Sequence, residues 1–177
     1  PQDGETQGEL VLRAPWLTQG YFREPEKSQE LWAGGWMHTG DVATISPMGF
    51  IEIRDRIKDV IKTGGEWLSS LELEDLISRS PLVAEVAVVG VPDPRWDERP
   101  FALIVPAAGQ TVTADAMAEH LMPFVEEGHI NKWAIPRQIA VVTEIPKTSV
   151  GKLDKKRIRT EIAGWLDAGA ECISSLA

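Results

Sequence analysis

The chain has a single cysteine, Cys172, in 177 residues. No intramolecular disulfide can form, and a reducing, cytoplasmic setting is expected. Basic charge is also scarce. Lys and Arg number 18 against 27 Asp and Glu, giving a net charge of −9 and a pI near 4.9. That balance opposes non-specific binding to nucleic acid or to an anionic membrane surface. No run approaches the ~18 apolar residues of a membrane span. No secretory signal pattern is visible. His38, His120 and His129 lack metal-ligand spacing, and Cys172 has no partner nearby, so no metal held by this chain is expected. A G-x-S-x-G nucleophile elbow is absent. So are internal repeats and low-complexity segments.

What is present suits a globular fold, with 43% hydrophobic residues. The length allows one domain, or a small domain with a piece of another. The chain starts at Pro1 in a stretch rich in Gly, Glu and Gln, and is expected to be a piece of a longer protein. Residues 10–13 read as a strand and residues 14–35 as loop, with a helical turn over 26–32. Residues 41–45 and 49–54 read as strands joined by the turn sequence Ser46-Pro47-Met48-Gly49. The charged segment Arg54-Asp55-Arg56-Ile57-Lys58-Asp59 reads as a solvated linker. Beyond it, Ser69 and Glu72 suggest a capping box for a helix over 70–80, with Leu73, Leu76 and Ile77 facing inward and its Asp and Glu residues forming a solvated face. Residues 83–91 are almost wholly apolar, which predicts a central strand buried on both faces. Further strands are expected over 100–106 and 139–143. A helix is expected over 113–127, disturbed by Pro123. A last helix starts with Asp154 as N-cap, with Leu153 and Ile158 as a hydrophobic staple and Ile162, Trp165 and Leu166 continuing its apolar face.

The expected architecture is therefore α+β. A β-rich piece spans residues 1–55, a short charged connection spans 56–58, and a compact domain with a central three-stranded sheet flanked by helices spans 59–177.

Three segments carry candidate chemistry. Asp41, after Thr39-Gly40, can accept hydrogen bonds from a sugar diol, although a turn aspartate is the plainer reading. Gly64-Gly65, beside Trp67, allows a backbone or ligand to approach closely. Lys152 follows Gly151 on a Pro/Ser/Gly loop just before a helix. It is not a Walker lysine, because that pattern needs Gly at 146 and Ser or Thr at 153, where the chain has Pro146 and Leu153. It is either a solubilising surface charge or a mobile point charge for a phosphate or carboxylate.

The order Gly40-Asp41, then Asp55-Arg56-x-Lys58-Asp59 with Gly64-Gly65-Glu66, then Pro146-Lys147-Thr148-x-x-Gly151-Lys152 resembles the C-terminal part of the adenylate-forming enzymes. Residues 55–70 look most like the medium- and long-chain fatty acyl-CoA synthetases. The pieces Pro92-Asp93-Pro94-Arg95-Trp96 and Glu98-Arg99-Pro100 agree with that branch. The resemblance implies a ligase that converts a carboxylic acid and ATP to acyl-AMP and pyrophosphate, and then passes the acyl group to the thiol of CoA. It implies that Asp41 and Arg56 hold ribose hydroxyls and that Ile53 and Trp67 lie near the nucleotide. Lys58 would be the hinge of a mobile C-terminal domain, and Lys152 the lysine of the first step. Lys62, Gly64, Gly65 and Glu66 would serve CoA or phosphate in the second. ATP/AMP and CoA are the implied cofactors, with Mg²⁺ held by ATP and by the larger N-terminal domain. That domain is the implied partner, an oligomer is compatible with the sequence, and the chain alone is expected to be inactive because it lacks the family's Ser/Thr/Gly-rich phosphate loop. The alternatives are another acyl- or aryl-CoA ligase, or a stand-alone binding or regulatory module with this fold.

Overall fold

A computed structural model describes residues 1–167 and 171–172, with side chains described as far as Trp165. The remainder of the expected 59–177 domain, and the side chain of Leu166, lie outside the described residues. The chain divides into two compact units, Pro1–Lys58 and Asp59–Ala177.

The first unit holds β1 (Gly8–Leu12), α1 (Pro25–Leu31), β2 (Met37–Ile45) and β3 (Ile51–Arg56). The strands form an antiparallel sheet in the order β1-β2-β3. The β2–β3 turn closes through Gly49 N–H to the Ser46 carbonyl (2.8 Å), with Gly49 at φ 82°. Val42 and Ala43 are the buried hydrophobic residues of this unit, so its own core is small. One expectation is corrected here. Arg54, Asp55 and Arg56 do not lie in a solvated linker but continue β3. The pairing register shifts between Val42 and Ala43, which face Asp55 and Ile53, and past this irregularity Asp55 is only 2% exposed although Ile51 and Ile53 are open to solvent. Its carboxylate accepts from the Arg56 amide (2.7 Å), while Arg54 pairs with Glu52 and donates to Thr44 Oγ1.

The second unit begins with a hairpin of β4 (Ile61–Thr63) and β5 (Glu66–Leu68). Gly64 and Gly65 make its two-residue turn at φ 59° and 86°, the mirror-image geometry that suits strand twist and that a side chain would strain. Then follow α2 (Ser70–Ser78), β6 (Val83–Asp93), β7 (Asp97–Pro106), α3 (Ala114–Glu126), β8 (Gln138–Val141), α4 (Lys155–Thr160), α5 (Ile162–Asp167) and β9 (Glu171–Cys172). The three strands expected from the sequence, β6, β7 and β8, are all present in a six-stranded sheet, with β7 inside it. β7 pairs with β6 along one edge, and with β4 and then parallel β8 along the other. The β4–β5 hairpin and β9 extend it.

The helix ends follow local chemistry. Ser69 Oγ accepts from the Glu72 amide (3.1 Å), Thr113 from Ala116 (3.2 Å) and Asp154 from Arg157 (3.0 Å). Pro123 lies inside α3 without ending it. It sits one turn from the end, and the carbonyl it leaves unpaired belongs to exposed Glu119. The expected last helix is two short ones that meet at Glu161.

Two hydrophobic clusters sandwich the sheet. Val86, Val88, Ala102, Ile104 and Ile139 pack under α2 and α3 with Leu73, Ile77, Met117 and Leu121. Ala87, Val89, Phe101, Leu103 and Ala140 pack on the opposite face with Ile145 and Ile158. β6 is thus buried on both faces, which its apolar run reflects. It lies at an edge of the sheet, however, with β7 its only paired strand among the described residues. A second correction concerns α2. Its acidic residues are not all solvated, since the Glu74 side chain is 11% exposed and accepts from the Val88 amide on the free edge of β6 (2.8 Å).

Candidate functional site

In the first unit, β2 and β3 bring Asp41 and Arg56 opposite one another. Arg56 Nε lies 3.3 Å from Asp41 Oδ1, and both side chains retain exposure. Gly40, at φ 71°, turns the strand before Asp41. Its amide donates to Glu9 (3.2 Å), Thr39 Oγ1 donates to the Leu10 carbonyl (2.7 Å), and the Asp41 amide donates to Thr39 Oγ1 (3.1 Å). A carboxylate and a guanidinium side by side can hold a vicinal diol between an acceptor and a donor. Ile53, on β3, is 48% exposed.

Glu9 ties this corner to His38, whose Nδ1 is 2.7 Å from Glu9 Oε2 and whose Nε2 is 3.1 Å from the Ala33 carbonyl. Both contacts favour the doubly protonated ring, with Glu9 the larger cause, so the His38 pKa rises above its ordinary 6.5. The folded state therefore binds this proton more tightly than the unfolded state. The stabilisation is fully present below pH 6.5 and is lost as pH rises through the raised value. The denaturation midpoint of the first unit should fall as pH rises above 6.5. His38→Gln should flatten that dependence, and an unchanged slope in the variant would remove His38 as its source.

Lys58 is the exposed last residue of the first unit. The next residue, Asp59, accepts from Arg159 of α4 at 2.8 Å.

Lys152 stands on a closed hairpin rather than a loose loop. Lys147 bridges Leu153, the Thr148 amide donates to the Lys152 carbonyl (2.7 Å), and the Lys152 amide donates to Thr148 Oγ1 (3.2 Å). Gly151, at φ 79°, makes the turn, and its amide donates to the Thr148 carbonyl (2.9 Å). The Asp154 amide closes the base on the Pro146 carbonyl (2.9 Å). The backbone is held, whereas the exposed Lys152 ammonium has no protein partner among the described residues.

A cleft of about 500 Å³ opens beside the Gly64-Gly65 turn, lined by Thr63, Gly64, Glu66, Trp96, Arg99, Lys132, Trp133 and Arg137. Three cations and two indoles line it. Arg99 is only 9% exposed and has no hydrogen bond or ion pair among the described residues. Burial, then the neighbouring Arg137 charge, push its pKa down, with Asp93 offsetting part of this. An arginine cannot relieve the strain by deprotonating, so such a site is primed for an anion. The Thr63 hydroxyl, 1% exposed, has no hydrogen-bond partner either. Gly64 is close-packed, since a Cβ there would meet the Trp96 ring at 3.0 Å.

Of the residues marked by the sequence, Gly64 and Glu66 line this cleft. The Glu66 carboxylate is engaged with protein groups, accepting from Asn131 Nδ2 (2.7 Å) and Trp133 Nε1 (3.0 Å). Lys62 and Trp67 face each other across the hairpin, with the ammonium 5.9 Å from the ring centre, and do not line the cleft. The sequence reading missed Arg99, Lys132, Trp133 and Arg137 as site residues. One signal was available in Arg99, the last of three consecutive charged residues leading into the apolar run of β7. No group of three or more metal-ligating side chains occurs among the described residues.

Residues 72–152 match the family of AMP-binding enzyme C-terminal domains. Over these residues the chain is similar to the C-terminal domains of the AMP-binding, adenylate-forming enzymes. It is 45% identical over 161 residues to a 3-methylmercaptopropionyl-CoA ligase of Ruegeria lacuscaerulensis, covering 91% of this chain and 29% of that one. It is 41% identical over 166 residues to a long-chain-fatty-acid–CoA ligase of Thermus thermophilus, covering 93% and 30%. Among solved structures it resembles the o-succinylbenzoate-CoA synthetase of Bacillus subtilis bound to its acyl-adenylate, at TM-score 0.77 and 26% identity over 89% of this chain and 31% of that one. The chain thus spans less than a third of the length of these relatives. No helix among its described residues is long and apolar enough to cross a membrane.

Proposed function

We propose that this chain is the C-terminal portion of a fatty acyl-CoA ligase whose second unit serves the two half-reactions with two different sets of residues. In the first step a carboxylate oxygen attacks the α-phosphate of ATP and pyrophosphate leaves. Asp41 and Arg56 hold the ribose, with Ile53 and Trp67 against the nucleotide. The free Lys152 ammonium stabilises charge between the substrate carboxylate and the α-phosphate. In the second step the CoA thiolate attacks the acyl carbon and AMP leaves. Rotation at Lys58 exchanges Lys152 for the Gly64-Gly65 turn, past which the pantetheine arm runs, with Lys62 at a phosphate. Glu66 holds the wall of the cleft. Mg²⁺ accompanies ATP and the larger N-terminal domain.

The observation that carries this reading is the cleft, with its buried Arg99, which makes no side-chain ion pair among the described residues, beside Arg137 and the glycine turn. Room for a nucleotide-sized ligand and several cations suit the phosphates of CoA. The relatives act on several acids by name, benzoate and trans-cinnamate among them, so the fatty acid is the finer part of the proposal. Titration of the 177-residue chain with CoA tests the reading. Binding should weaken with salt, and Arg99→Ala should weaken it about tenfold, as loss of a charge-assisted contact implies. No binding by the unsubstituted chain would overturn the assignment of the cleft. The same chain given ATP, Mg²⁺, CoA and a fatty acid should release no AMP, and turnover would show that no further domain is needed.

A further inference from the structure

We infer that Lys155 is a positioning residue for Lys152, and that α4 is a strut holding the Lys152 hairpin in register with the start of the second unit. The inference rests on reading Lys152 as the lysine of the adenylation step. The Lys155 ammonium is 2.7 Å from Glu74 Oε1 and 2.7 Å from Ser70 Oγ, with side-chain exposures of 9% for Lys155 and 11% for Glu74. The same Glu74 oxygen accepts from the Val88 amide (2.8 Å). One buried cluster therefore joins α2, the free edge of β6 and the first residue of α4.

Helix stability does not explain a lysine there. Position 155 is the first residue of α4, where the helix dipole disfavours a cation. Burying an ion pair is also a weak source of stability compared with apolar packing. What the pair does supply is a fixed place for the base of the hairpin, because Lys155 follows Asp154, whose amide closes that hairpin on Pro146 (2.9 Å). One helical turn further on, Arg159 binds Asp59 at 2.8 Å. Asp59 directly follows Lys58. α4 is thus anchored at one end to the core and at the other to the first residue past the proposed hinge. When the unit turns about Lys58, Lys152 travels with it as part of one body.

The test uses the full-length ligase that contains this chain, with Lys152→Ala as the reference. In Lys155→Met, and in Lys155→Met with Glu74→Gln, where the amide still caps Val88 and no lone charge is buried, kcat for acyl-AMP formation should fall about tenfold. KM for ATP and acid, and thioester formation from supplied acyl-AMP, should each stay within about twofold. Lys155→Arg should recover most of the loss. In the 177-residue chain the Lys152 amide should exchange with solvent about tenfold faster in the double variant. Full adenylation by the double variant, where Lys152→Ala has lost it, would overturn the inference and leave the lysine reading standing. Equal loss of both half-reactions would overturn it as well, since that is what a general loss of folding gives. If Lys152→Ala itself adenylates normally, the reading beneath is wrong and the inference falls with it.

Discussion

Lys152→Ala in the full-length enzyme should lower acyl-AMP formation by about 10²- to 10³-fold, the usual effect of removing one preorganised charge or donor from a developing anion. Thioester formation from supplied acyl-AMP should change by less than about threefold. The asymmetry follows from the structure of the hairpin. Its backbone is held by hydrogen bonds through Thr148, Pro146 and Asp154, none of which uses the Lys152 side chain. Truncation at the β-carbon leaves these bonds in place, so the fold should survive and the loss report on chemistry. Among the described residues the side chain has no protein partner to give up, so none of them is orphaned. The two half-reactions, measured as pyrophosphate exchange and as CoA-dependent consumption of acyl-AMP, check the asymmetry. Equal losses would contradict a lysine that serves one step only.

Lys58→Pro should lower the second half-reaction by about 100-fold and the first by less than tenfold. Proline fixes φ near −65° and biases the residue before it, Ile57, toward extended backbone. A residue that must take two backbone conformations can then keep only one. The Ile57 amide already donates to the Gly40 carbonyl (2.9 Å), so the chain is held up to the residue before Lys58. The Asp59–Arg159 pair holds it just after. Both anchors leave position 58 as the place where torsion can change. Single-turnover rates for each step, with the melting temperature as a control, give the comparison. Turnover equal to the unsubstituted enzyme would rule out a hinge at 58.

Much of the second unit was legible in the sequence because its signals are local. Ser69, Thr113 and Asp154 announce helix starts through side-chain oxygens that meet nearby amides. The apolar run of β6 announces a strand covered on both faces, and Leu153 with Ile158 announces the packing of α4. The β4–β5 hairpin was not legible as strands, since three-residue strands carry no measurable period. Even so, Gly64-Gly65 marked the turn. Glu74 was misread because a carboxylate between Leu73 and Asp75 looks the same in sequence whether it meets water or a lysine 81 positions on. Lys152, Lys155, Arg157 and Arg159 lie within eight residues of one another in the sequence. In the fold they separate into a free ammonium, a buried ion pair, a helix-surface pair with Glu161 and an anchor on Asp59. The cleft was hidden for the same reason. Arg99, Lys132 and Arg137 come from β7 and the segment before β8, and only tertiary structure brings them together.

The account's central claim is a division of labour, with Lys152 serving the first half-reaction and the cleft around Arg99 serving the second. No residue is shared between them. The most direct measurement is a crossed comparison of Lys152→Ala and Arg99→Ala in the full-length enzyme, with each half-reaction followed separately at subsaturating CoA. The account predicts that Lys152→Ala loses acyl-AMP formation alone, and that Arg99→Ala loses CoA-dependent thioester formation alone. Parallel losses in both steps for both variants would contradict it.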